Sequence, residues 1–280
     1  MKLFAATDSD RTKDPAEFLD HVWTVYDGED LDVAASLVDD FRCVANNREA
    51  LLSKLHSQLR GLATSKFSQY KQTSILLEGT RSKLPYLRAN IWPAISAESP
   101  SYADFCKAYS YYFPHSHNFS FLTTGYFGPG YQTDIWGLVS EPCGLKVGDD
   151  IALNYEGRHE LSNSTVMLYE ANKDVHVQYP PPRLSLSLNL MLYREIDKYT
   201  TQYFVDTGSG RVVGTSSQSP GYRRLTLIRL AELIGTEETT ELLDAIAKRT
   251  VYPDLREAAA TATSNRRRWT REVASFQEAS

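Results

Sequence analysis

Two imidazoles stand two residues apart in Phe113-Pro114-His115-Ser116-His117-Asn118-Phe119-Ser120-Phe121. Read as one strand, this stretch puts Phe113, His115, His117, Phe119 and Phe121 on one face and Pro114, Ser116, Asn118 and Ser120 on the other. Two histidines on an apolar, inward face suit neutral imidazoles that ligate a metal better than they suit a solvated surface. A third histidine stands in a second strand-like run, Asp174-Val175-His176-Val177-Gln178, on the face shared with Asp174 and Gln178. The expected chemistry is one divalent metal held by His115, His117 and His176; the competing reading is three core histidines satisfied by hydrogen bonds. Imidazole suits iron, copper, nickel and zinc about equally, so the ligand type does not choose the metal.

Other polar residues fall where a substrate would need them. Arg88 sits mid-strand among apolar neighbours in Tyr86-Leu87-Arg88-Ala89-Asn90, where a guanidinium needs an anion, supplied by an acidic side chain or by a substrate carboxylate gripped bidentately. Asn118 and Gln178, beside the histidines, are further candidate substrate contacts. The run Thr124-Gly125-Tyr126-Phe127-Gly128-Pro129-Gly130-Tyr131 combines three glycines and a proline with aromatics. It reads either as a corner turn or as a pocket wall to which Tyr126 or Tyr131 contributes a catalytic hydroxyl. His21 and His56 read as structural helix residues and His159 as a loop end. Cys43, Cys106 and Cys143 are too few and too widely spaced for a disulfide framework or a zinc cluster and read as reduced thiols, Cys143 being the one to test for reactivity.

The elements that must position these residues fall into three parts. Residues 1–66 read as helices: Asp14-Pro15 is an N-cap with proline at the first helical position, and Phe18, Val22 and Val25 recur at helical spacing. Residues 67–217 read as short strands with turns between them, a sandwich or barrel pattern. The clearest strand is Leu184–Leu192, with five leucines on one face and Ser185, Ser187, Asn189 and Met191 on the other, a polar face suited to lining a cavity. Asp206 to Arg211 reads as a hairpin turn. Residues 218–280 are helical again, and Arg266-Arg267-Arg268-Trp269 reads as a solvated basic helix end.

The His-x-His strand, the glycine-rich turn, the strands that follow and the later His176 together resemble the cupin family of jelly-roll proteins, over roughly Tyr70 to Thr215. That resemblance implies an α+β protein in which a cupin-like β-sandwich or jelly-roll barrel is flanked by N-terminal and C-terminal helices, and a metal bound inside it. The family's usual glutamate is missing: Phe121 and Leu122 stand four and five residues beyond His117. What remains is a three-histidine set like that of cupin-like thiol and diketone dioxygenases, for which Fe(II) is the implied metal. The tail, in RRLTLIRLAELIG and ELLDAIAKRTVYPDLREAAATA, resembles one helical pair of a HEAT-type repeat and the start of the next.

With 280 residues, 42% hydrophobic and 23% charged content and a net charge of -5, nothing in the overall balance favours nucleic acid or an anionic membrane, both of which want a basic face, and no apolar run approaches the length that spans a bilayer. A small-molecule or peptide substrate and a cytoplasmic location are the expectation, and a homodimer is compatible with it. The function expected is a cupin-like mononuclear oxygenase acting on an amino acid, a peptide or a specialised metabolite. The rival is a non-catalytic cupin-like protein that binds a peptide or small ligand. The absent His-x-Asp signature weighs against 2-oxoglutarate as cosubstrate.

Overall fold

Alternating side chains build two sheets, and their polar and apolar faces decide how the sheets stack. The computed structural model describes residues 1–5, 10–63, 73–80, 83–142, 144–194, 197, 200–216 and 220–278; Cys143 lies outside them. Its strands are β1 (Lys2–Ala5), β2 (Ser74–Thr80), β3 (Lys83–Trp92), β4 (His115–Ser116), β5 (Ser120–Phe127), β6 (Gln132–Leu138), β7 (Leu153–Glu160), β8 (Thr165–Tyr169), β9 (Asp174–Tyr179), β10 (Ser185–Leu192), β11 (Tyr203–Asp206) and β12 (Arg211–Thr215). They form two six-stranded antiparallel sheets, ordered β1-β8-β5-β10-β3-β2 and β12-β11-β4-β9-β6-β7. No strand pair joins the sheets among the described residues, so of the expected sandwich or barrel the closed barrel is not formed and the two sheets stack as a sandwich.

The first sheet separates two cores. On one face Leu87 and Ala89 of β3, Leu122 of β5 and Leu188 and Leu190 of β10 pack against α1 (Pro15–Val25) and α2 (Val38–Asn46), through Phe18, Val22 and Phe41. Asp14 caps α1 by accepting from the Ala16 and Glu17 amides, as the sequence pattern requires. The N-terminal segment therefore shares this core, and its first residues pair with β8 as an edge strand that sequence periodicity did not reveal. On the other face, odd positions of β5 and even positions of β3 turn inward: Phe121, Tyr86 and Trp92 meet Ile135, Tyr131 and Tyr169 between the sheets. The leucine face of β10 is the helix-packed one, and its Ser187 and Asn189 face the interior, where the Ser187 hydroxyl accepts from the Trp92 indole at 2.9 Å.

The His-x-His stretch is not one continuous strand. β4 ends at Ser116 in the second sheet and β5 begins at Ser120 in the first, so the chain crosses the sandwich over three residues beginning at His117. Asn118 is buried at this crossing, and its amide donates to the Thr200 carbonyl at 3.3 Å. An unexpected short helix, α4 (Tyr102–Tyr109), follows α3 (Arg48–Ala63) in chain order and precedes the crossing.

The tail is a three-helix layer, α5 (Pro220–Ile234), α6 (Glu237–Arg249) and α7 (Pro253–Glu278), with its own small core of Ile228, Leu243, Leu255, Ala259 and Ala262. It lies against the second sheet across a cleft of about 590 Å³ lined by Leu145, Tyr203, Ile228 and Ala258. Arg266 is not a solvated end. Its guanidinium donates to the Glu232, Gly235 and Thr236 carbonyls and to the Thr240 hydroxyl, tying off the turn between α5 and α6.

Candidate metal centre

Strand register brings two of the three histidines together. His115 of β4 is the direct antiparallel partner of His176 of β9, which is in turn opposite Ile135 of β6, and residues so opposed share a face. His117 follows where the chain turns away from the second sheet. The three ring centroids lie 4.5 Å (His115–His176), 4.8 Å (His117–His176) and 5.0 Å (His115–His117) apart. Their ligating nitrogens all lie within 4.8 Å of one another, close to the span of two metal–nitrogen bonds of about 2.1 Å.

The donor set fits a metal. His115 Nδ1 lies 2.7 Å from the Phe113 carbonyl; a carbonyl only accepts, so Nδ1 carries the proton and the Nε2 lone pair is left for a ligand. His176 is fully buried, and neither of its ring nitrogens has a hydrogen-bond partner; His117 Nδ1 has none either. Buried polar atoms without partners cost about 1–3 kcal/mol each, and one ion accepting these lone pairs would remove that cost. Burial holds the pKa of His115 below its ordinary value and those of His117 and His176 well below it, with mutual repulsion adding to the effect for His117 and His176 and Arg88 adding to it for His117. All three are therefore neutral at physiological pH, the form that can ligate a metal.

Aromatic rings hold the imidazoles in place. Phe121 stands edge-on to His117 at 5.2 Å, and Tyr169 edge-on to His176 at 4.8 Å. The position at which a cupin's glutamate is expected thus carries a ring packed on His117, while the next residue, Leu122, faces the N-terminal helices. The Asn172 amide fixes the backbone of His117 by donating to its carbonyl at 2.9 Å from a left-handed conformation (φ 59°).

His115 and His117 open onto a cavity of about 200 Å³ between the sheets, also lined by Arg88, Asn90, Asn189, Gln178, Trp92 and Tyr131. Of the candidate residues, Arg88, Gln178 and Tyr131 thus share the cavity with the histidines. Gln178 is buried and its Oε1 has no partner. Burial keeps the Tyr131 phenol protonated, its pKa well above the ordinary value. Tyr131 owes its place to Gly130: at φ 83° a Cβ there would lie 1.8 Å from the Leu161 carbonyl oxygen, so only glycine permits the corner.

Tyr126 and Asn118 are not cavity residues. Tyr126 has the parity of Leu122, so it faces the N-terminal helices, and its hydroxyl donates to the Asn47 carbonyl at 2.7 Å. Tyr126→Phe should cost about 1 kcal/mol of stability in urea unfolding and leave metal stoichiometry unchanged; a loss of metal would return Tyr126 to the site. Asn189 lines the cavity from the polar face of β10 expected to do so, whereas Asn90 and Trp92 line it without having been singled out in the sequence, although their alternation with Leu87 and Ala89 carries the signal. His159 lies on the edge strand β7, and the described cysteines, Cys43 and Cys106, are buried free thiols.

No protein-family model matches the chain, and no curated protein does. Among solved structures, a hydroquinone 1,2-dioxygenase in complex with Cd2+ and 4-hydroxybenzonitrile is similar over 48% of this chain and 71% of its own, at 9% identity and a TM-score of 0.28, a likeness too slight to bear on fold or chemistry. No described helix is long and apolar enough to cross a membrane. What stands on the chain's own geometry is a three-histidine cluster inside two antiparallel sheets flanked by helices.

Proposed function

We propose that the protein is a cupin-like mononuclear metal oxygenase, with Fe(II) held by His115, His117 and His176, that oxidises an anionic substrate about the size of an amino acid. One observation carries the reading: three neutral imidazoles, their lone pairs without protein partners, converge where a polar cavity opens. Iron is the choice that the resemblance to thiol and diketone dioxygenases implies. When bound, it supplies the one-electron and dioxygen chemistry that no side chain provides.

The remaining roles belong to the cavity wall. Its described lining contains one cation, Arg88, and no carboxylate, so an anion finds a counter-charge there and an amine does not. Arg88 grips a substrate carboxylate, Gln178 Oε1 accepts from a neutral donor on the substrate, and the protonated Tyr131 phenol offers a hydrogen bond. Trp92 and Phe121, on the same inward sheet face as Arg88, line the cavity with apolar surface and exclude water from it. A volume of about 200 Å³ admits a single small molecule rather than a folded-in peptide.

Metal analysis of protein purified without added metal, followed by oxygen uptake with a panel of small carboxylates, tests this reading. Near-stoichiometric iron and carboxylate-dependent oxygen uptake are expected. A metal-free, fully stable protein that still binds carboxylates would instead favour the non-catalytic ligand-binding reading. Arg88→Gln should weaken carboxylate binding about 10–100-fold, the worth of a charge-assisted hydrogen-bond pair, without reducing bound metal. Unchanged affinity in titration calorimetry would remove Arg88 from the site.

A further inference from the structure

The first-sheet wall of the cavity carries a hydrogen-bond relay whose direction is fixed at one end. The Trp92 indole N–H can only donate, and it donates to the Ser187 hydroxyl oxygen at 2.9 Å. Ser187 in turn directs its own proton to Asn189 Oδ1, also at 2.9 Å. Thr123 Oγ1 donates to the same oxygen at 3.4 Å. An amide whose oxygen accepts twice has its other end decided: Asn189 Nδ2, which carries two protons, is turned away from Ser187 and Thr123. The two ends of an amide are alike in shape, and here the indole makes them distinct. Asn189 is buried and lines the cavity onto which His115 and His117 open. Among the described residues no group accepts from its Nδ2, so the donor is left for whatever fills the cavity.

We propose that Asn189 is a specificity-determining residue of this site: its Nδ2 donates to one oxygen of the substrate's carboxylate and holds that group on the first sheet, with the rest of the substrate directed toward the histidines. Asn189 and Arg88 are direct antiparallel partners, so their side chains leave the sheet side by side on one face. The histidines stand across the cavity, His115 and His176 in the second sheet and His117 at the crossing. Trp92 and Ser187 are positioning residues that act through Asn189. This role, which rests on the carboxylate substrate of the proposed function, adds a selection that charge alone does not make. A carboxylate presents acceptors only. A carboxamide of the same shape, whichever way round it sits, sets its N–H groups against a donor, and a fixed donor that meets a donor rejects that ligand.

Lactate and lactamide, alike in shape, are the probes, titrated calorimetrically into the full chain as purified, with bound metal measured on the same samples. The wild type should bind lactate at least about 10-fold more tightly than lactamide. Asn189→Leu should weaken lactate about 10-fold, the worth of one hydrogen bond to a charged group. Ser187→Ala removes no group that lines the cavity. It leaves the Asn189 amide with Thr123 alone, a hydroxyl that can donate or accept, so the amide is released to turn and the preference for lactate over lactamide should fall about 3–10-fold. A packing defect would weaken both probes alike and leave that ratio in place. Should Asn189→Leu fail to fold, the ratio in Ser187→Ala decides alone. Lactate affinity unchanged by Asn189→Leu, or a ratio unchanged by Ser187→Ala, overturns the role of Asn189 and leaves the carboxylate reading to Arg88→Gln. A wild type that binds neither probe, or both equally, overturns the two together.

Discussion

His176→Ala should empty the metal centre while the chain stays folded. His176 is fully buried between His115, His117 and Tyr169, and both of its ring nitrogens lack partners. Two opposing terms set the stability change. Truncation leaves a void and loses the contact with Tyr169, a cost of about 2–3 kcal/mol for a ring of this size in a core that only partly relaxes. It also removes two buried, unpaired polar atoms, each costing the metal-free native state about 1–3 kcal/mol. The terms nearly cancel, so the melting temperature of metal-free protein should move by only a few degrees. Metal binding has no such compensation: two imidazoles remain, and the loss should exceed the roughly 10–100-fold that removing even a supporting hydrogen bond costs a metal site. Metal-to-protein ratios after dialysis, measured by plasma mass spectrometry, check this. A variant that keeps stoichiometric metal, or that fails to fold at all, makes His176 a core residue and takes the oxygenase reading down with it.

Much of this arrangement is legible in alternation. The run Leu184 to Leu192 announces its two faces, and the polar face does line the interior beside Arg88, whose strand partner is Asn189. The three histidines were legible as types, but their convergence depends on β4 and β9 being neighbours in register, a long-range pairing that no local pattern encodes. Where the chain passes from one sheet to the other, periodicity misleads: Phe113 to Phe121 alternates as though it were one strand, because His115, Phe119 and Phe121 enter the same interior from two sheets, while Phe113 itself is exposed. Tyr126 shows the converse. Its parity with Leu122 placed it on the helix-facing side, and a glycine-rich neighbourhood drew it into the candidate site all the same. β7 is polar on both faces at a sheet edge, so it has no alternation to read. Arg266 looked solvated because its partners are backbone carbonyls from another helix, and a sequence lists no such acceptors.

Acid should destabilise the metal-free protein well above the carboxylate range, because its three buried histidines resist protonation. Burial keeps the native pKa of His115 below 6.5 and those of His117 and His176 well below it, whereas in the unfolded chain each titrates near 6.5. Above pH 6.5 neither state binds these protons and their contribution to stability is fully present. As pH falls through 6.5 the unfolded chain takes up protons that the native state refuses, so stability drops, by up to about 1.4 kcal/mol per pH unit for each imidazole, until the native pKa values are reached. Asp174, raised above the ordinary carboxylate range by burial, acts in the opposite direction, but only as pH falls through its own raised pKa toward the ordinary carboxylate value. The lowered carboxylates Asp134, Glu170 and Asp206 lose their contribution only nearer pH 4. Between pH 6.5 and 5.5 the histidines therefore dominate, and the loss is bounded by about 1.4 kcal/mol for each imidazole, which for the three together is a large share of the stability of an ordinary domain. Urea unfolding in chelator at pH 7.5 and pH 5.5 measures it. His176→Phe should remove about a third of the slope, and saturating Zn2+ should flatten it further by occupying the lone pairs for which protons compete. Stability that does not change between pH 7.5 and 5.5 would mean that the imidazoles are hydrated and protonate freely in the native state, leaving no dry three-histidine site to hold a metal.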